Sequence, residues 1–210
     1  MRLPTTTLEK KLLRNTYDLV CGVDEVGMGC LAGPVVVAAV SFHPDFYASK
    51  SLVPAGLRES KLLSAPQREK FEKELLKLRS LTYAVALSSP RRIDKINIYQ
   101  ASREAMRTAI KKVSSRGSGK VIVLVDGNKK IPGLKFEQQA IVKGDQKIFA
   151  IACASIIAKV YRDKLMKRYA KQFPAYGFEQ HKGYSTKLHQ KMLKKYGPIS
   201  IHRRSFRLEY

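Results

Sequence analysis

Three cysteines, no tryptophan and no long apolar run set the first limits on this 210-residue sequence. Cys21, Cys30 and Cys153 each lie among apolar residues, and no C-x-x-C pair occurs, so neither a zinc site nor a disulfide framework is predicted. Apolar runs such as Val35 to Val40 are far too short to cross a membrane. The opening residues, MRLPTTTLEKKLL, lack the apolar core of a secretory signal. We therefore expect a cytoplasmic protein with reduced cysteines and no membrane partner.

Acidic residues are scarce as well. The chain has 40 Lys and Arg residues against 17 Asp and Glu residues, which gives a formal net charge of +23 at pH 7. A charge of this size favours a polyanionic partner, and nucleic acid is the first candidate. The excess is uneven, because residues 1–60 hold six basic and six acidic side chains whereas residues 159–210 hold fourteen and three. We expect the basic part to surround the neutral part in the fold.

An acidic pair follows the first strongly apolar segment. Leu19 to Val23 predicts a buried strand, and Asp24 and Glu25 come directly after it. Adjacent side chains in a straight strand point to opposite faces, so both acids can serve one site only if the strand ends or bends there. The glycines within residues 27–33 permit such a bend. A second strand is expected at residues 35–40.

Two further strands are expected to deliver an acid at their ends. Residues 120–125, KVIVLV, predict a buried strand that leads to Asp126. A short strand at residues 140–142 leads to Asp145. Because ligands in open α/β sheets bind beyond the strand ends, these acids are candidates for one shared site.

The four acids offer the chemistry of a divalent-metal site. Carboxylates gathered in one place repel one another, and a divalent cation relieves that repulsion. Hard oxygen ligands suit magnesium or manganese. Four carboxylates around two ions about 3.5–4 Å apart are the set used in two-metal phosphodiester hydrolysis, in which one ion activates a water and the other stabilises the leaving oxygen. The alternative is that these acids pair with local lysines and arginines.

Periodicity and capping residues predict the other elements. Residues 43–61 carry two prolines and a glycine and indicate a loop, and Ser64 opens a capping box before an amphipathic helix. Asp94 is expected to cap one helix and Ser185 to cap the last. Helices are expected at 7–14, 66–79, 94–113, 148–172 and after Ser185, with a further strand at 81–87. The long helix has a predicted basic outer face of Lys159, Arg162, Lys164, Lys167 and Arg168.

Six segments in one order resemble the signatures of ribonuclease HII, the type 2 ribonuclease H. They are DEVGMGCLAGPVVVAAV at 24–40, VDGN at 125–128, KGD at 143–145, ASIIAKVYRD at 154–163, YGFEQHKGYSTKLH at 176–189 and HRRSF at 202–206. The resemblance implies an α/β ribonuclease H-like fold, with a mixed central β-sheet flanked by helices and a C-terminal helical extension. It implies a catalytic domain at 1–172, with a lead-in at 1–17, and a basic helical extension at 173–210.

The implied activity is metal-dependent cleavage of the RNA strand in RNA/DNA hybrids, and incision at ribonucleotides embedded in duplex DNA. Products would carry 3′-hydroxyl and 5′-phosphate ends. The implied cofactor is manganese or magnesium, two ions in the active complex. The implied partners are the hybrid and ribonucleotide-containing duplex DNA, and a monomer is expected.

The resemblance also assigns residues. Asp24, Glu25 and Asp126 match the core metal ligands, and Asp145 matches the fourth acid. The turn at Gly27, Met28 and Gly29 matches the loop whose backbone contacts 2′-hydroxyls, the group that distinguishes RNA from DNA. Tyr184 matches the tyrosine that packs on the sugar at the RNA–DNA junction, whereas Asp163 is interpreted as a structural salt-bridging residue. The remaining substrate-binding candidates are Lys61 and Lys143.

Two positions depart from the family pattern. Met28 stands where the family usually has an arginine, so a phosphate-directed charge is missing. ESKLL at 59–63 replaces the usual DSKKL, which leaves Lys61 as the candidate phosphate ligand. The high total charge would compensate through nonspecific phosphate contacts, whose contribution falls steeply with salt.

Two other functions fit parts of the sequence. A noncatalytic basic protein that binds RNA or hybrids fits the composition, but carboxylates at three strand ends would repel its ligand. Another nuclease or recombinase of the same general fold, acting on DNA junctions, fits the acids. The glycine turn and the HKGY motif at 181–184 argue against it, because both imply 2′-hydroxyl recognition.

Overall fold

A five-stranded mixed sheet brings the strand-end acids to one edge. The computed structural model describes residues 3–48, 60, 62–115, 117 and 119–207. The strands are β1 (Leu19–Val26), β2 (Val35–Phe42), β3 (Leu81–Ser88), β4 (Val121–Asp126) and β5 (Glu137–Ile141). Their order across the sheet is β3-β2-β1-β4-β5.

Strand directions decide which ends meet. β1 runs antiparallel to β2 and parallel to β4, and β5 runs parallel to β4. Val23 lies opposite Val125, so Asp24 and Asp126 follow at the next step on neighbouring strands. The carboxyl ends of β1, β4 and β5 therefore share one edge, as the predicted site requires.

Helices cover both faces of the sheet. The long helix α6 (Phe149–Gln172) crosses one face with α3 (Ala65–Leu76) beside it, and α5 (Ile98–Ser114) packs on the other. Strand β2, between β3 and β1, is buried along its whole length, which explains its continuous apolar sequence. The helices are α1 (Thr7–Asn15), α2 (Pro44–Ala48), α3 (Ala65–Leu76), α4 (Pro90–Ile96), α5 (Ile98–Ser114), α6 (Phe149–Gln172), α7 (Phe178–His181) and α8 (Lys187–Tyr196). The predicted α/β class with a mixed sheet flanked by helices is confirmed.

The C-terminal segment packs on α6 and on the turn after β1. Leu31 and Ala32 from that turn share a buried cluster with Met166 of α6, Phe178 and Leu193. Among the described helices, none combines the length and apolar character needed to cross a lipid bilayer. The division into a catalytic domain and an extension at residue 172 stays a prediction.

Three local predictions are wrong. Asp94 does not cap the helix that ends near residue 113, because the chain breaks at Asn97 (φ +64°), whose side chain caps α5 by accepting from the Gln100 N–H. Thr186, rather than Ser185, caps α8. The predicted loop at 43–61 begins with helix α2, and Lys61 lies outside the described residues.

Candidate active site

All four predicted acids line one cavity of about 260 Å³ at the carboxyl edge of the sheet. β1 continues to Val26, so the prediction that this strand ends before Asp24 is wrong. Alternation along β1 places Asp24 on the α6 face and Glu25 on the α5 face. Both side chains still reach the cavity because it lies beyond the edge of the sheet rather than on one face.

The other two acids come from β4 and the turn after β5. Asp126 is the last residue of β4, and its Oδ1 accepts a hydrogen bond of 2.6 Å from the Gly144 N–H. Lys143 has a left-handed backbone (φ +55°) that starts a single turn of 3₁₀ helix at Gly144–Gln146. That turn buries Asp145 against the cavity, whereas the Lys143 side chain is exposed and does not line the cavity.

Charge accumulates around Asp24. Its side chain is buried, and burial raises its pKa well above the ordinary value, with the charges of Glu25 and Asp126 adding to the rise. Hydrogen bonds from Ser155 and from the Glu25 N–H (2.7 Å) lower the pKa and offset part of that cost. The protein alone therefore leaves a repulsive cluster that an added cation would stabilise.

The donor chemistry fits a hard divalent cation. Carboxylate oxygens are the ligands that magnesium and manganese prefer. Within the described part of the chain, no group of three or more His, Cys, Asp or Glu side chains is already placed to hold a metal ion. The four acids line the cavity without converging on one point, so a bound ion would have to draw them together.

The glycine turn forms another wall of the cavity. Gly27 has a φ of +94°, and a Cβ there would come within 2.4 Å of the Arg162 Nε. Gly29 is exposed, and a Cβ there would meet no atom within 4 Å. The N–H groups of Met28 and Gly29 donate to no acceptor among the described residues. The fold requires glycine at 27 but not at 29, where the open space suits a ligand.

Two fully buried arginines hold this turn from behind. Arg162 of α6 donates to the carbonyls of Ala32 (2.9 Å), Pro34 (3.1 Å) and Lys182 (2.8 Å). Arg203 donates to the carbonyls of Gly33 and Met28, each at 3.0 Å. Because these carbonyls point inward, the turn is free to present N–H groups to the cavity.

Comparison with known proteins identifies the family to which this chain belongs. The Ribonuclease HII family model matches residues 21–209. The chain belongs to the ribonuclease HII family. Ribonuclease HII of Caldicellulosiruptor bescii is 47% identical over 199 residues, which cover 95% of this chain and 91% of that protein. This chain is accordingly an endoribonuclease of type 2.

Solved structures agree with this assignment. The ribonuclease H2 from Pyrococcus horikoshii OT3 matches with a TM-score of 0.72 and 27% identity, covering 91% of this chain and 95% of that one. RNase HII in the PCNA:RNase HII complex from Archaeoglobus fulgidus matches with a TM-score of 0.70 and 28% identity, covering 88% and 92%.

Tyr184 completes the cavity of this ribonuclease HII chain. Its ring is 39% exposed, and its backbone pairs with Cys30 in an isolated bridge. Lys159 Nζ lies 5.7 Å and the Arg162 guanidinium carbon 5.8 Å from the ring centre. Burial raises the pKa of Tyr184 to about 12, so its hydroxyl stays protonated at neutral pH.

Three cavity residues escaped the sequence prediction. Ser60 and Ser155 share a hydrogen bond of 2.8 Å beside Asp24, and Lys159 lines the same wall. Ser155 and Lys159 fall within the ASIIAKVYRD segment, and this segment was the one sequence feature that could have indicated them. Their role depends on which face of α6 meets the cavity, and the sequence does not fix that.

The predicted basic outer face of α6 is wrong in detail. Arg162 is fully buried, and Lys164 and Lys167 form salt bridges with Glu72 (2.6 Å) and Glu69 (3.2 Å) of α3. This side of α6 is therefore partly neutralised by α3. Its lysines are less available to phosphates than the sequence predicted.

The prediction that Asp163 is a structural salt-bridging residue is confirmed. It pairs with Lys159 at 2.7 Å and with Arg68 at 3.6 Å. Arg68 also donates to the Ser60 carbonyl at 2.9 Å. Asp163 therefore links α6, which carries Lys159, to the segment that carries Ser60.

A chain of neutral histidines supports Tyr184 from below. His202 Nδ1 accepts from the Ile199 N–H (3.0 Å), so its Nε2–H must donate to His189 Nε2 (3.0 Å). His189 Nδ1–H then donates to the Tyr184 carbonyl at 2.9 Å. The network fixes each tautomer and occupies both ring nitrogens of His189 and of His202.

Proposed function

We propose that this chain hydrolyses the RNA strand of RNA/DNA hybrids and incises duplex DNA at embedded ribonucleotides, by a two-metal mechanism that leaves 3′-hydroxyl and 5′-phosphate ends. The observation that carries the proposal is the convergence of four acids, the glycine turn and Tyr184 on one cavity. A protein that only bound nucleic acid would gain nothing from four carboxylates in its binding wall.

Asp24, Glu25, Asp126 and Asp145 would hold two divalent cations, magnesium or manganese. When bound, the cations supply a water of lowered pKa and stabilise charge on the leaving oxygen. The four acids hold them against the scissile phosphate. Ser155 keeps Asp24 oriented through its hydrogen bond.

Recognition of the ribonucleotide falls to the opposite wall. The N–H groups of Met28 and Gly29, which have no acceptor among the described residues, suit a 2′-hydroxyl oxygen, which only RNA offers. The partly exposed ring of Tyr184 offers a flat surface for the adjoining sugar. Lys61 and Lys143 remain proposed phosphate contacts. Lys143 does not line the cavity, and Lys61 lies outside the described residues.

The test uses two labelled duplexes, a full RNA/DNA hybrid and a DNA duplex with one ribonucleotide, each with magnesium or manganese. We expect the wild type to cut both and Asp126→Asn to bind both without cutting. Asp45→Asn is the matched control, because this carboxylate is 91% exposed on α2, away from the cavity, and its loss should leave cutting unchanged.

Each outcome of the cleavage assay supports or contradicts one part of the proposal. Incision 5′ of the lone ribonucleotide supports junction recognition despite Met28. Cutting of the hybrid alone contradicts the proposed action on embedded ribonucleotides. Binding without metal-dependent cutting by the wild type rejects the proposed chemistry.

A further inference from the structure

A second cavity adjoins the carboxylates on the α5 side of the sheet. It has a volume of about 330 Å³ and shares Glu25 and Asp126 with the candidate active site. Its other walls come from the first two turns of α5 and from the loop after β4. A nucleic-acid strand that reaches Glu25 and Asp126 would lie beside this second cavity.

Two cationic side chains of this cavity form no ion pair with the described residues. Arg103 of α5 is half-buried, and its only hydrogen bond among the described residues goes to the Met106 sulfur at 3.1 Å, a weak acceptor. Lys129, in the loop after β4, is exposed and forms no salt bridge within the described part of the chain. Lys164 and Lys167 of α6 differ, because Glu72 and Glu69 of α3 already pair with them.

A buried hydroxyl in the same wall lacks a partner. Ser102 is 1% exposed, and among the described residues its Oγ has no hydrogen-bond partner. A buried polar group left unpaired is costly, so such groups are rare unless a ligand or water completes them. Ser102 and Arg103 are neighbours on α5 and together offer a hydroxyl and a guanidinium, a set suited to phosphate oxygens.

We propose that this cavity binds a phosphodiester group of the cut strand next to the scissile one, with Arg103 and Lys129 as its charged contacts and Ser102 as its hydroxyl contact. The proposal rests on the proposed function. Glu25 and Asp126 repel a phosphate, so these cations and the divalent ions of the active complex must outweigh them. Met28 in the same wall is apolar and supplies no charge, which leaves that task to α5 and the β4 loop.

The first experiment measures steady-state cutting by Arg103→Gln and Lys129→Gln. Each variant should raise KM about tenfold with kcat within about twofold, and should reduce the slope of log affinity against log salt by about 1. Lys111→Gln is the matched control, because Lys111 is an exposed cation two turns along α5 and outside the cavity. A changed kcat or metal requirement at unchanged KM would overturn the proposal, since Arg103 would then only screen the acids.

The second experiment locates the phosphate. One neutral methylphosphonate is moved along the cut strand, and its effect is combined with Arg103→Gln in a double-mutant cycle. We expect the two losses to be non-additive at one position beside the scissile phosphate and additive elsewhere. Additive losses at every position would overturn the proposal and leave Arg103 as a general electrostatic contributor.

Ser102→Ala separates a ligand contact from a structural one. Because the Oγ has no partner in the free protein, the variant should unfold at the same or higher temperature while its KM rises. Lower stability with unchanged KM would contradict the assignment. If the wild type binds hybrid but does not cut it, the proposed function fails, and the same cycle is then run on Kd, so the two proposals can fail separately.

Discussion

Gly27 and Gly29 are kept for different reasons within one turn. Gly27 has the positive φ and the close arginine behind it, so the fold itself requires it. Gly29 has neither constraint, and its surroundings are open. Under the proposed function, Gly29 is glycine because the substrate backbone comes close to it.

The pair gives a direct prediction. Gly29→Ala should change the free energy of unfolding by less than about 0.5 kcal/mol. It should also reduce cutting at a lone ribonucleotide by roughly tenfold to a hundredfold, through misplacement of the sugar. Gly27→Ala should lower the free energy of unfolding by about 2 kcal/mol, because it combines a left-handed backbone with a clash against Arg162. Urea unfolding and cleavage kinetics check both, and equal activity of Gly29→Ala and wild type would contradict the proposed contact.

The acids make a second prediction at this scale, independent of activity. Magnesium or manganese at about a hundred times its Kd should raise the free energy of unfolding by about 2.7 kcal/mol for each ion bound, because a ligand of the folded state stabilises it. Asp126→Asn should lose most of this effect, and Asp45→Asn should keep it. Thermal unfolding with and without the metal measures the difference, and no metal-dependent shift in the wild type would count against the site.

The sequence predicted single residues well where local patterns position them. Asp126 follows a continuous apolar run, and that run alone locates the strand and its end. Ser60 and Lys159 reach the same cavity through contacts between distant segments, such as the bond between Ser60 and Ser155. No local sequence pattern predicts a contact between residues that are 95 positions apart.

At the scale of elements, α6 depends on a side chain from α1. The N-terminus of α6 has no capping side chain of its own, and Glu9 accepts from the Ala150 N–H at 3.1 Å. Glu9 is fully buried, and burial raises its pKa to about 7. Its second carboxylate oxygen has no partner among the described residues, so ionisation of Glu9 is costly.

The raised pKa of Glu9 determines the direction in which the free energy of unfolding changes with pH. Between pH 4.5, where the unfolded side chain ionises, and about 7, the folded state holds a proton that the unfolded state has lost. The free energy of unfolding should therefore fall as the pH rises through this interval. Glu9→Gln keeps an acceptor for Ala150 without the charge, so it should be more stable than wild type by about 3 kcal/mol at pH 8 and equal to it below pH 4.5.

Urea unfolding of both proteins from pH 4.5 to 8 checks this prediction. Glu9→Ala is the control, because it removes the charge and also leaves the Ala150 N–H without its acceptor. A constant difference between Glu9→Gln and wild type across this range would mean that Glu9 does not titrate with the raised pKa.

Elements with strong periodicity were predicted correctly. Predictions for single residues in them failed where a partner distant in the sequence determines the contact. The capping box at Ser64 and Gln67 forms as predicted. Asp94 has the side chain of a cap, but its carboxylate instead accepts from the N–H groups of Arg204 and Ser205. Arg162 has the period of an exposed residue, but it is buried against carbonyls from two separate segments, the turn at 32–34 and Lys182.

At the scale of the whole molecule, buried histidines determine the response to acid. Burial lowers the pKa of His189 and of His202 to about 4, whereas the unfolded side chains titrate near 6.5. As the pH falls through this interval the unfolded state takes up protons first, so the free energy of unfolding should fall. The loss should reach about 3 kcal/mol or more at pH 4, on the scale of 1.36 kcal/mol per pKa unit.

Glu9 and Asp24, whose pKa values are both raised, act in the opposite direction over part of the same range, so the measurement belongs in a background that carries Glu9→Gln and Asp24→Asn. Urea unfolding from pH 4 to 7 should then show a steady loss of stability toward acid. His43→Gln should leave that slope unchanged, because His43 is an exposed histidine outside the network. A flat profile would contradict the neutral network.

The order of synthesis gives the C-terminal contacts a further consequence. All four acids of the cavity are translated before residue 146, but the turn that faces them is held by Arg162, by the Gly183 and Ile201 carbonyls and by Arg203. Under the proposed function, a nascent chain therefore carries its acidic set before it can shape the wall that would contact the ribonucleotide.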